Sequence, residues 1–355
     1  SSIFSNPTKD ANGFPSLPAP GGERNTRTVH APALPVRAVW RPPSSSVTTV
    51  LEPLPMLRRG VVPLVKAAGS GVGPEVVSAG LRPVQKAAAI FGTANAVGFG
   101  ISATTGSHYH LDAIGTGAFA LAAMALRGTE LRQQVSAAAI SVWATKLAGF
   151  LFYRVLQVQH DARLDAMLST TGGALGFWVV SFAWGWIVSL PHSVAAAVAP
   201  AVRPRFGGLL DVVGLAGFAA GFALETAADL QKMAFKNDPA TRGHNCDVGV
   251  WQLSQHPNYL GNLLVWTGVM LLNVPTLLAA GGGGRPWLRM LAAATSPLFL
   301  YVLFSGQASG TIGNSVQLAE AKYGADPRYR RWVAETPLIF PTVDSITRAL
   351  RGAGK

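Results

Sequence analysis

Cysteine is nearly absent: Cys246 is the single one in 355 residues. One thiol excludes an intrachain disulfide framework and a multi-cysteine metal site, and it says little about compartment. Charge is scarce as well. Asp, Glu, Lys and Arg together make up 13% of the chain, against roughly 25% in ordinary globular proteins. Acids are the rarer sign, 17 against 29 Lys plus Arg, for a formal net charge of +12. A basic balance can signal nucleic acid, but no basic-aromatic reading surface accompanies it, so nucleic acid is not an expected partner. Anionic membrane lipids or acidic neighbouring proteins fit the charge better. No serine or cysteine has the flanking glycines or base of a credible nucleophile, which argues against covalent catalysis.

Apolar residues are abundant, at 49% of the chain, with nine Trp and 39 Gly in long low-charge runs. That texture predicts an all-α, polytopic membrane helical bundle of about six to seven transmembrane helices. Candidate spans fall near 87–106, 111–127, 131–153, 174–190, 207–228, 258–280 and 287–304. The chain then divides into an N-terminal arm (1–86), a transmembrane bundle (87–304) and a polar C-terminal tail (305–355). Small-residue spacing at Gly217/Gly221 and Gly172/Gly176 predicts close helix approach.

The arm is a different class of polypeptide. Thirteen of the 24 prolines fall within it, with ten Lys/Arg against four Asp/Glu, a net of +6 (10 − 4). It has no sustained apolar face and builds no core of its own, so it is expected to be extended and ordered only by docking on something else. Protein partners contacting residues 1–86 are one expectation. The chain opens on Ser1 rather than Met, and cleavage of an organelle-targeting peptide is one account of that. An organelle membrane, mitochondrial or plastid, is therefore favoured, with the endoplasmic reticulum as the alternative. Gly69-x-Gly71-x-Gly73 has no strand before it and reads as a linker rather than a phosphate loop.

The Lys/Arg bias of the loops does not orient the bundle. Counting spans is more informative. Two spans separate the segment after Tyr153 from the one after Ala228, and two more separate that from the segment after Phe304. All three must share one membrane face, and most of the chain's polar chemistry lies in them.

On that face, Glu225 and Asp229 stand four residues apart at the end of an apolar span and so share a helix face. A carboxylate there is costly unless it is paired or faces a polar cavity. The bland account is an interfacial pair balanced by Lys232 and Lys236; the functional one is a pair of acceptors for ribose or amide groups. The loop 249–262, Gly-Val-Trp-Gln-Leu-Ser-Gln-His-Pro-Asn-Tyr-Leu-Gly-Asn, runs into the apolar stretch 263–278. Pro257 suits a first helical turn, and the free amides of that turn suit an anion. His256 is either a structural hydrogen-bonding residue or a phosphate donor, and Tyr259 can donate to a carbonyl or a phosphate. Lys146, inside an apolar span, needs a partner or must snorkel. Asp161/Arg163 read as a solvated turn. His108-x-His110 lacks a third ligand, and His244, Cys246 and Asp247 lack the spacing of a known site, so no metal is expected.

These residues together resemble the steroid 5α-reductase-like membrane family, in particular its broad branch long catalogued as a domain of unknown function. That branch shows a Trp-x-x-Arg-Leu helix with a later Arg and Asp-x-Arg, then Glu…Ala-Asp-x-Gln-Lys. A Gly-Leu-Trp-x-x-Ser-Arg-His-Pro-Asn-Tyr-x-Gly-Glu loop follows, and a tail with Tyr near Thr-Pro-x-x-Ile-Pro. Trp143, Leu147, Arg154, Asp161, Arg163, Glu225, Ala228, Asp229, Gln231 and Lys232 fit. So do Gly249, Trp251, Ser254, His256, Pro257, Asn258, Tyr259, Gly261, Tyr329, Thr336, Pro337 and Pro341. The match covers roughly 110–341. It implies a seven-helix bundle with NADPH held on one face, delivering hydride to the activated double bond of an enone-type lipid. Carried over residue by residue, Glu225, Asp229, His256, Asn258, Tyr259 and Tyr329 would line the cofactor site, which the tail completes.

The departures from the pattern matter equally. Gln255 replaces Arg, Asn262 replaces Glu, Lys146 replaces the helix Arg, and 311–315 (Thr-Ile-Gly-Asn-Ser) replaces a short hydrophobic-Glu pattern. Gln cannot imitate bidentate Arg, and each charge-assisted contact is worth about 1.5–3 kcal/mol. Two losses would weaken cofactor binding by on the order of a hundredfold or more. Three readings follow. The first is an active NADPH-dependent oxidoreductase acting on CH–CH groups. The second is a catalytically degenerate accessory subunit of a large organelle membrane complex, anchored by its arm. The third is an isoprenylcysteine-methyltransferase-like enzyme, against which Asp229-x-Gln231-Lys232 argues.

Overall fold

A computed structural model describes residues 74–158, 168–282 and 284–352. The described residues are all-helical apart from turns and loops. In chain order the α-helices are α1 (Pro74–Thr105), α2 (Leu111–Ala125), α3 (Leu131–Val158), α4 (Thr171–Val188), α5 (Leu190–Ala196), α6 (Leu209–Asn237), α7 (Pro257–Leu277), α8 (Pro286–Ser309), α9 (Ser315–Tyr323), α10 (Pro327–Glu335) and α11 (Val343–Gly352). Short 3₁₀ turns at Pro200–Val202 and Gly249–Gln252 interrupt the loops.

Among the described residues six helices are long and apolar enough to cross a membrane: α1, α3, α4, α6, α7 and α8. The seventh, α2, has 15 residues, about 22 Å at 1.5 Å per residue, short of a bilayer core of about 30 Å. The protein is an integral membrane helical bundle, and its outer apolar side chains, such as Leu121, Val180 and Leu298, face lipid. Proline starts α7, α8 and α10, where a missing amide hydrogen costs nothing and a fixed φ helps. Gly310 ends α8 in the left-handed region at φ 78°, a conformation that favours glycine.

The expected boundary between arm and bundle needs revision. Helix α1 begins at Pro74, so 74–86, read from composition as arm, is helical. Pro83 lies inside this helix, and its local breaking tendency is overridden by the continuing apolar run. The rest of the arm, 1–73, lies outside the described residues, as do Asp161 and Arg163.

The centre of the bundle is α7. Of its most apolar window 72% is buried, against 22–33% for the other spans. An aromatic knot surrounds it. Phe119 meets Trp143 at 5.3 Å, Trp184 at 4.9 Å and Trp266 at 5.3 Å between ring centroids, and Trp143 meets Trp266 edge-on at 5.1 Å. Edge-to-face pairs at such distances add about 0.5–1.5 kcal/mol each beyond area burial.

Helices α6 and α7 pack backbone to backbone. A Cβ on Gly221 would stand 2.5 Å from the Gly261 carbonyl, and one on Gly261 would stand 2.6 Å from the Glu225 amide. Gly214 and Gly268 are equally tight, against Leu272 N and Phe218 N at 2.5 Å. The expectation for Gly221 holds, whereas Gly217 makes only an ordinary 3.7 Å contact. Gly172 and Gly176 have nothing within 4 Å, so their spacing marks no helix contact among the described residues.

The two ends of the bundle differ. At one end Arg132 of α3 grips Asp211 of α6 through Nε (2.6 Å) and Nη2 (2.9 Å), while also capping the carbonyls of Pro204 and Arg205. Both partners are buried, and a buried pair of this kind is tolerated because its remaining donors are also satisfied. Nearby, His192 of α5 takes hydrogen bonds from Ser136 and Gln133 of α3. The other end of α3, α6 and α8, with the start of α7, carries the polar segments after Ala228 and Phe304, while most of the segment after Tyr153 lies outside the described residues.

Candidate functional site

Three helices bring the site together. Lys146 lies on α3, Glu225 and Asp229 on the last turns of α6, and His256 to Asn262 at the entry to α7. The glycine seam sets the spacing: with Gly221 against Gly261, the next turn of α6 places Glu225 beside Asn262.

Glu225 is the hub. Its Oε2 accepts from Trp143 Nε1 at 3.0 Å and Lys146 Nζ at 2.8 Å, and its Oε1 accepts from Asn262 Nδ2 at 2.9 Å. The residue is 3% exposed, so an unpaired carboxylate here would carry a heavy desolvation cost. Lys146 also reaches Asp229 Oδ2 at 3.6 Å. Lys146 thus reaches both carboxylates. Lys232, expected to help balance the pair, lies over the Trp251 ring at 4.3 Å.

At the mouth of α7, His256 stacks on Tyr259 at 4.8 Å and Tyr259 stacks on Phe304 of α8 at 4.6 Å. The Tyr259 ring is therefore clamped on both faces. His256, the residue that caps α7, has its pKa lowered to about 4, mainly by burial and secondarily by the Lys232 charge. It is neutral at pH 7, an imidazole held by stacking on Tyr259.

Among the described residues several acceptors here lack a donor at hydrogen-bonding distance, Lys146 standing 3.6 Å from Asp229 Oδ2. Asp229 Oδ2, Asn258 Oδ1 and Asn262 Oδ1 are buried without a hydrogen bond. Asn258 and Asn262 are four apart on α7 and share a face, and Asn262 connects through Glu225 and Lys146 to Asp229. Buried polar atoms normally find partners, so this run of acceptors suits a group bearing N–H or O–H donors.

The loop before α7 is sandwiched between α6 and the tail. Val250 N donates to Gln231 Oε1 at 2.9 Å and Trp251 Nε1 to the Ala228 carbonyl at 3.0 Å. From the tail side, Trp332 Nε1 donates to the Trp251 carbonyl at 2.8 Å, and Ser345 Oγ to the Leu253 carbonyl at 3.0 Å. Gln255 gives its amide to the carbonyls of Thr336 (2.7 Å) and Val333 (3.1 Å), and its backbone N–H to Pro337 (2.9 Å). Its side chain is spent on the tail.

Of the six predicted site residues, Glu225, Asp229, His256, Asn258 and Tyr259 converge at this end. Tyr329 is buried in α10 among Tyr323 (5.8 Å) and Trp332 (6.1 Å), and burial, with help from Glu320 and Tyr323, raises its pKa. Its ring neighbours are tail residues rather than the other five. Sequence reasoning left Trp143 and Phe304 out of the site. Lys146 was legible from its need for a partner, but its target was not. The two lone histidines bind the protein itself: His110 Nε2 donates to the Gly98 carbonyl at 2.9 Å, and His108 Nδ1 lies 3.2 Å from Ser102 Oγ. His244 pairs with Asp326 at 2.9 Å, fastening the start of α10.

A family model described as "Protein of unknown function (DUF1295)" matches residues 98–336, more than half of the chain. No curated protein and no solved structure matches it.

Proposed function

The chain belongs to the DUF1295 family, and from that premise we propose that it is a steroid 5α-reductase-like membrane protein that holds NADPH between α6 and the entry to α7 and reduces an enone-type lipid. The observation that carries this reading is a run of under-satisfied buried acceptors: among the described residues Asn258 Oδ1 and Asn262 Oδ1 have no hydrogen bond, and Asp229 Oδ2 has only Lys146 Nζ at 3.6 Å. A nicotinamide carboxamide and ribose hydroxyls are rich in the donors these atoms lack, so the residues present fit the group. When bound, NADPH supplies hydride. Asp229 and Asn258 would accept from it, and Asn262, itself held by Glu225, would present its carbonyl oxygen. Tyr259, clamped between His256 and Phe304, has a fixed ring whose hydroxyl suits donation to a substrate carbonyl.

A second reading has its own support. Gln255 occupies the position where the resembled family carries Arg, and its amide is engaged by tail carbonyls. Glu225 is likewise satisfied on both oxygens by protein donors. A site consumed by such internal bonds suits an accessory subunit of an organelle membrane complex, reached through residues 1–73.

Equilibrium dialysis of the purified full chain in detergent against NADPH separates the two. Under the reductase reading, Asn258→Leu and Asp229→Asn each weaken binding about tenfold, about 1.4 kcal/mol. No binding at millimolar NADPH removes that reading and leaves the accessory one. Deletion of residues 1–73 then has to release the bundle from its membrane complex.

A further inference from the structure

On the same end of the bundle, and lined by none of the six candidate cofactor residues, the tail and Gln252 border an open cleft of about 490 Å³. Ligand sites for small molecules span roughly 300–1,000 Å³, so the space admits a headgroup. Three arginines line it, Arg328 and Arg331 of α10 and Arg348 of α11, against two acids, Asp247 and Glu335. The local balance is +1 (3 − 2). The two acids are already committed. Arg328 grips Asp247 through Nε and Nη2, both at 2.5 Å, and Arg348 Nη1 meets Glu335 Oε2 at 3.1 Å. Among the described residues Arg331 has neither an ion-pair nor a hydrogen-bond partner. A guanidinium carries five N–H donors, so the paired arginines also keep donors to spare.

A second observation lies in the wall of the same cleft. Thr336 lines the cleft and is 4% exposed, yet among the described residues its hydroxyl has no hydrogen-bond partner. A buried hydroxyl left without a partner is unfavourable by about 1–3 kcal/mol, which a bound acceptor would remove. We propose that the Arg328–Arg331–Arg348 cleft is a binding site for a phosphate group, with Arg331 as its unshared cation and the Thr336 hydroxyl as a neutral donor. Guanidinium forks match phosphate oxygens bidentately. The proposal does not rest on the reductase reading, since none of Glu225, Asp229, His256, Asn258, Tyr259 and Tyr329 lines the cleft.

The surroundings favour a lipid as the source. Helix α11 exposes Val343, Ile346 and Leu350 at positions i, i+3 and i+7, a single apolar stripe, with Arg348 off that stripe. An apolar face beside a basic one is the pattern of a helix lying in a membrane interface, where lipid phosphates reside. Free phosphate would use the same donors.

The test uses the full chain in two arms. In uncharged detergent, inorganic phosphate is titrated by calorimetry. In nanodiscs of phosphatidylcholine with or without phosphatidic acid, co-purifying lipid is measured by native mass spectrometry. Saturable binding in the first arm supports the site with free phosphate as its ligand. Selective retention of phosphatidic acid in the second supports it with a lipid ligand. In whichever arm responds, Arg331→Gln should weaken binding at least tenfold, while Lys322→Gln, a charge removed from α9 outside the cleft, leaves it unchanged. Thr336→Val should weaken phosphate binding while leaving thermal stability equal or higher, because the lost hydroxyl had no protein partner. No binding in either arm overturns the proposal. So does an equal loss in Arg331→Gln and Lys322→Gln, which would mean diffuse surface attraction.

Discussion

The carboxamide of Asn262 donates from Nδ2 to Glu225 Oε1 at 2.9 Å across the seam between α6 and α7. Where the resembled family pattern carries Glu, this chain has a neutral residue that gives a hydrogen bond to a buried carboxylate. A second carboxylate at that place would face Glu225 with Lys146 as the shared cation, and like charges at contact distance raise each other's cost of ionisation. The Asn is therefore matched to its neighbour, and the departure at 262 reads as a local accommodation as well as a change at a cofactor position.

Asn262→Leu removes the donor and leaves Glu225 Oε1 buried without one. The expected loss is about 1.5–3 kcal/mol, the range for hydrogen bonds to charged groups. Lys146→Met removes the counter-charge itself and should cost more, about 3–5 kcal/mol, as breaking one partner of a buried pair does. Thermal unfolding in detergent measures both. A Lys146→Met protein no less stable than Asn262→Leu would show that Lys146 is not the principal counter-charge of Glu225.

Gly221→Ala or Gly261→Ala tests the seam. The added methyl would meet backbone at 2.5–2.6 Å, and backbone cannot rotate away as a side-chain tip can. Overpacking of this kind costs about 1–3 kcal/mol, with the helices forced apart near Glu225 and Asn262. Gly176→Ala has open space around it and gains helix propensity, up to about 1 kcal/mol, so it should be neutral or stabilising. Equal stability of Gly221→Ala and Gly176→Ala would contradict the close packing.

The spans and the shared face were legible because hydrophobic runs and parity of crossings leave direct marks on a sequence. Lys146 in an apolar run announced a partner, and Glu225 is that partner. The extent of α1 was hidden by proline-rich composition that a long apolar continuation overrides. Which glycines form the seam was only partly visible, since Gly214, Gly261 and Gly268 act through a neighbour's backbone, and nothing in their own spacing names it. The fastening of the tail was invisible for a related reason. Gln255, Trp332 and Ser345 all bind carbonyl oxygens, and every residue has one.

Gln255→Ala should loosen the tail specifically. Two side-chain hydrogen bonds to Val333 and Thr336 are lost, each worth about 0.5–1.5 kcal/mol, while the backbone bond to Pro337 survives. Global stability then falls modestly, and amide exchange across 327–337 speeds up more than across α7. Uniform acceleration in both regions would mean that the clamp holds the whole bundle rather than the tail.

His256 gives the protein an acid sensitivity whose sign follows from its burial. Its pKa falls from the ordinary 6.5 to about 4 in the folded chain, so between those values the unfolded chain holds the extra proton. Stability therefore rises with pH through this window, and the contribution is complete above about 6.5. On acidification it is lost progressively until pH approaches 4, for a total of about 3 kcal/mol at 1.36 kcal/mol per pKa unit. In His256→Gln nothing titrates at this position, so the unfolding midpoint should decline less between pH 7 and about 4 than in the parent. The other histidines contribute equally to both proteins and cancel in the difference. Parallel midpoint curves would mean that His256 titrates freely in the folded state, and with that the neutral imidazole stacked on Tyr259 would be lost as a fixed element of the site.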